Sequence, residues 1–88
     1  MTLDPDTLRV VADNLLARVQ AELIMRDNAR REGKSGIAIM HGDRAQAFNE
    51  AAAATLALVT KAERKAAAEA KRVAALADFH RRHRFIDV

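Results

Sequence analysis

Few side chains in this sequence could do chemistry, and their spacing decides which kind. The three histidines stand at 41, 80 and 83. His80 and His83, three residues apart, would share one helix face and could offer two ligands to a metal. A third ligand would have to come from Asp78, Asp87 or another chain, and two histidines among Arg81, Arg82 and Arg84 read more simply as solvated. Gly33-Lys34-Ser35 has the ending of a phosphate-binding loop. That motif needs a glycine where this chain has Asn28, and a preceding strand where this chain has a helical pattern. The Arg81-Arg82-Arg84 cluster could contact the phosphates of nucleic acid or acidic lipid. It equally suits cations at a helix C-terminus, and no aromatic platform or wider basic stripe supports the first reading. No Ser/His/Asp set, carboxylate pair or thiol nucleophile emerges, so the expectation is a non-enzymatic protein with no metal and no cofactor.

Whatever the chain does must then be done by its elements. Eighty-eight residues make one domain, and a chain of this size buries only about 60–65% of its unfolded surface. There is no cysteine to staple it, so oligomerisation is the usual remedy for so small a core. The net charge of +3 is modest for a dedicated nucleic-acid binder. No charged-then-apolar leader stands at the N-terminus, and the longest apolar run, 51–59, is too short for a bilayer, so no membrane span is expected.

Two long helical patterns flank a stretch dense in helix breakers, residues 33–49. Asp4 and Pro5 suit a helix start, with Leu3 and Leu8 placed as a hydrophobic staple. Arg26, Arg30, Arg31 and Gly33 suit a helix end, so helix 1 is expected over about 5–32. Gly42 supplies permissive backbone before Asp43, which with Gln46 has the form of a capping box. This predicts a turn over 33–42 containing His41-Gly42, helix 2 over about 43–83, and a flexible tail over 84–88. Equal rise along the two helices then sets Pro5 beside roughly residue 71.

The fold class read from this pattern is all-α: an antiparallel helical hairpin. Helix 1 carries a stripe that includes Leu8, Leu15, Val19 and Leu23. Helix 2 answers with Phe48, Val59 and Val73 among alanines, small residues that let two backbones approach closely. A second stripe on helix 1, Val10, Ala17, Ala21 and Ile24, has no counterpart left within the chain. Together with Phe79 and Phe85 of the tail, it is the expected partner interface, one that would complete a four-helix bundle.

The chain also resembles a known family. Leu3-Asp4-Pro5-Asp6-Thr7-Leu8-Arg9-Val10-Val11-Ala12 is similar to the opening of EspC-like proteins associated with type VII (ESX) secretion in actinobacteria. Ser35-Gly36-Ile37-Ala38-Ile39-Met40-His41-Gly42, followed by Phe48-Asn49, is similar to their mid-chain segment. The resemblance implies a hairpin akin to the WXG-type small secreted proteins, with His41-Gly42 at the inter-helix turn. It implies pairing with a second copy or with a related helical protein, including a larger secreted effector. It also implies a cytoplasmic stage before export without a cleaved signal. Such relatives carry a C-terminal Tyr-x-x-x-Asp/Glu export signal. Here the nearest counterpart, Phe79-His80-Arg81-Arg82-His83, lacks both the hydroxyl and the carboxylate. Export would then depend on a signal-bearing partner, or the chain would stay inside as a companion.

The resulting expectation is a protein-interaction module. Two alternatives compete with it: a nucleic-acid-binding hairpin dimer using Lys71, Arg81, Arg82 and Arg84, and a mobile-element inhibitor of a larger complex.

Overall fold

A computed structural model describes residues 4–83. They form two helices, α1 (Pro5–Arg31) and α2 (Ser35–His83), folded back on each other. Asp4 caps α1: its carboxylate accepts from the Thr7 backbone N–H at 2.8 Å and from the Thr7 hydroxyl at 3.0 Å. Pro5 occupies the first turn, where a missing N–H costs nothing.

The reversal takes three residues, Glu32 to Lys34. Gly33 adopts φ +73°, Gly33 N–H donates to the Arg30 carbonyl and Lys34 N–H to the Ala29 carbonyl. These are the two bonds of a Schellman cap, which settles the last carbonyls of α1 and turns the chain at once. The next helix begins immediately: the Lys34 carbonyl accepts from Ala38 N–H at 3.0 Å.

This corrects the expected turn over 33–42. His41 and Gly42 lie inside α2, and Asp43 stands in its third turn and caps nothing. Gln46 Nε2 donates to Glu50 and makes no capping box. Two glycines at 36 and 42 each weaken a helix by about 1 kcal/mol relative to alanine. That penalty is outweighed because this segment supplies buried contacts: Ala38 is buried and His41 and Gly42 are half-buried.

The interface has a strict period. On α1 the buried or half-buried positions include Pro5, Leu8, Ala12, Leu15, Val19, Glu22, Arg26 and Ala29. On α2 they include Ala38, His41, Ala45, Phe48, Ala52, Thr55, Val59 and Ala62. Both series alternate steps of three and four, a 3.5-residue repeat, which is the seam of a left-handed antiparallel coiled coil. The buried apolar residues are Leu8, Ala12, Ala29, Ala38, Ala45, Ala52 and Val59, and no large side chain among the described residues is fully buried. The core is therefore a thin alanine seam, and its hydrophobic contribution is correspondingly small.

The early start of α2 also moves the pairing. Arg9 of α1 pairs with Glu63 of α2, and Ala62 is the last half-buried seam position before α1 ends. Pro5 thus lies near Ala62 and not near residue 71. The hairpin core reading holds for Leu8 and Val59, which are buried, and for Leu15, Val19, Leu23 and Phe48, which are half-buried. It fails for Val73, which is 57% exposed because α1 ends before reaching it. At 1.5 Å per residue α2 spans about 73 Å and α1 about 40 Å, leaving about 30 Å of α2 unpaired. The radius of gyration, 23.2 Å, is near twice the roughly 12 Å of a compact chain of this length. Leu3 of the expected staple, Phe85 and the expected flexible tail 84–88 lie outside the described residues.

Candidate functional site

One charged residue is buried in the alanine seam. Glu22 sits midway along α1, 7% exposed, at a position that its heptad otherwise gives to Leu8, Leu15 and Ala29. Its carboxylate is held by α2 alone: Oε2 lies 2.5 Å from His41 Nδ1, and Oε1 lies 3.2 Å from Arg44 Nε. His41 and Arg44 are three residues apart on α2 and so reach the same point. A buried carboxylate without partners would be costly, and here both oxygens are satisfied.

Chemically, a Glu–His pair can move a proton, but proton transfer needs a substrate within reach. One groove on the hairpin, about 410 Å³, is lined by Val19, Leu23, Arg26, Gly42, Ala45, Gln46, Asn49 and Glu50. Neither Glu22, His41 nor Arg44 lines it. The geometry instead suits a register lock: one charge in an apolar seam that is satisfied only when α1 and α2 align in one way. Nothing in the composition marks Glu22. The signal that could have found it is its place in the 3.5-residue series, where an acid interrupts an apolar line.

The remaining candidates are surfaces. Val10, Ala17 and Ile24 recur every seven residues at the position of α1 farthest from the seam, with Ala21 beside them. All four are exposed, Val10 at 59% and Ile24 at 60%. Asp13 and Asp27 border this stripe at the neighbouring heptad position. Phe79 is exposed near the far end of α2, its ring stacked on His83 at 3.9 Å between centroids. The structure does not bring Phe79 together with the α1 stripe, since α1 stops about 25 Å short of it at helical rise. Among the described residues His80 and His83 gather no third ligand, and no group of three or more His, Asp or Glu there could hold a metal; Asp87 lies outside them. Arg81 and Arg82 lean back on Asp78 (3.7 and 3.1 Å), and Arg72 on Glu69 at 2.7 Å. Among the described residues, no helix is long and apolar enough to cross a membrane.

In comparison with known proteins, no family model, curated protein or solved structure matches this chain.

Proposed function

We propose that this chain is a non-enzymatic helical interaction module, similar to a small type VII secretion-associated substrate or companion. In this reading the outer face of α1 docks a related helical protein to complete a four-helix bundle. The observation that carries it is the line of Val10, Ala17, Ala21 and Ile24, apolar, exposed and pointing directly away from α2. A hairpin whose own core is mostly alanine gains more from covering that face than a well-packed domain would. In this reading the chain travels with a signal-bearing partner or stays inside as that partner's companion.

The nucleic-acid alternative draws on Lys71, Arg81, Arg82 and Arg84; Arg81 and Arg82 are both paired with Asp78 on their own helix, which lowers the free positive charge available to phosphate, and Arg84 lies outside the described residues. Co-expression with helical proteins encoded beside its gene tests the proposal. Val10→Ser/Ile24→Ser is expected to abolish co-purification while leaving helicity unchanged. Undiminished co-purification of that variant would refute it, and a salt-sensitive gel shift by the wild type would favour the alternative.

A further inference from the structure

The seam of α2 does not stop where α1 stops. Beyond Ala62 the same alternation of three and four continues in phase through Ala66, Glu69, Val73, Leu76, His80 and His83. All six are exposed, Val73 at 57% and Leu76 at 53%. The unpaired segment remains helical on its own terms: it is rich in Ala, Lys, Arg and Glu, and Glu69–Arg72 and Asp78–Arg82 are ion pairs with the acid on the N-terminal side, the favourable order. It is the continuation of an existing helix–helix interface with its second helix missing.

We propose that this segment pairs antiparallel with the same segment of a second copy of the chain. The identity of the occupant follows from which register the seam permits. In an antiparallel two-stranded coiled coil the two core positions of the heptad pack against each other, not against themselves. Applied here, Val73 of each copy meets Leu76 of the other at the centre, Glu69 meets His80 on either side, and Ala66 meets His83 at the ends. The two residues with the greatest apolar content coincide, and the lone acid among the six seam positions falls opposite a histidine. A seam glutamate beside a seam histidine is already present inside the hairpin, where Glu22 reaches His41 diagonally, one turn from its facing position Ala45.

Charge completes the argument. In this register α2 of the second copy runs collinear with α1 of the first and ends about one turn short of it. Its C-terminal turn, where Arg81 and Arg82 outnumber the single Asp78 they share, then faces the acidic N-terminal turn of α1, with Asp4 and Asp6. The macrodipoles of the two helices add to this attraction, since a C-terminus meets an N-terminus. The product is a long rod with a hairpin at each end and the α1 outer faces still free.

The inference uses a surface distinct from that of the proposed bundle, and the test separates the two. Sedimentation equilibrium over a concentration series is expected to show a monomer–dimer equilibrium for the wild type and equally for Val10→Ser/Ile24→Ser. Val73→Glu/Leu76→Glu is expected to weaken dimerisation by more than about a hundredfold, with helicity retained because both positions are already exposed. The chain has no native thiol, so mixing a Val73→Cys chain with a Leu76→Cys chain under oxidising conditions reads the register. The mixed disulfide should form faster than either symmetric one. A wild type that stays monomeric, or a dimer that survives Val73→Glu/Leu76→Glu, overturns the inference. So does a preference for the symmetric disulfide of the Val73→Cys chain, which would mark parallel pairing. Loss of the dimer in Val10→Ser/Ile24→Ser would also overturn it, by placing self-association on the α1 face.

Discussion

Glu22 offers the sharpest test of how the hairpin is held in register. His41→Ala removes one of the two groups on a carboxylate whose side chain is only 9% exposed. A hydrogen bond to a charged group contributes roughly 1.5–3 kcal/mol. Alanine's better helix propensity returns roughly 0.5 kcal/mol of that at position 41. Arg44 is half exposed and still holds the other oxygen, so the carboxylate is not left fully unpaired. The net expected loss is about 1–2.5 kcal/mol, which for a domain of this size is a drop of roughly 5–15 °C in midpoint. Glu22→Leu should be neutral or stabilising, because leucine suits the seam and no buried charge remains. In the Glu22→Leu background, His41→Ala should then cost nothing or stabilise slightly. Urea titration followed by far-UV circular dichroism on the four chains of this cycle gives the coupling, expected above about 1 kcal/mol. If His41→Ala is equally costly with and without Glu22, within about 0.5 kcal/mol, the register-lock account is wrong.

Three further outcomes follow from the turn and the cap. A methyl group at Gly36 would meet nothing within 4 Å beyond the backbone of its own helix, so Gly36→Ala should stabilise by about 1 kcal/mol. Gly33 sits at φ +73°, so Gly33→Ala should instead destabilise by roughly 1 kcal/mol; thermal melts of the pair distinguish turn from helix by sign. The Thr7 backbone N–H and then its hydroxyl hold the Asp4 carboxyl below the usual carboxylate range. A lowered folded value means the cap's contribution is complete above the unfolded pKa and is lost as pH falls through the folded one. Stability measured from neutral pH into acid should therefore decline less steeply in Asp4→Asn than in the wild type.

Local rules written in the sequence determined both ends of α1. Asp4 and Pro5 can serve only a helix start, and Gly33 after a run of arginines serves a helix end, because each depends on groups within a few residues. The uncovered α1 stripe was likewise legible, since Val10, Ala17 and Ile24 cannot share a face with Leu8 and Leu15 at 3.6 residues per turn. The start of α2 was not, because glycines at 36 and 42 and an acid at 43 satisfy local rules for a turn. Tertiary structure overrode them: folding back at Gly33 buries Ala38 and gives Glu22 both His41 and Arg44, long-range contacts that no local window contains. The same shift ended the paired seam at Ala62 and left Val73 in solvent. Which residues form a helix was decided within the chain's neighbourhood; which helical residues acquire a partner depended on where the two rods came to lie, and that only the fold could decide.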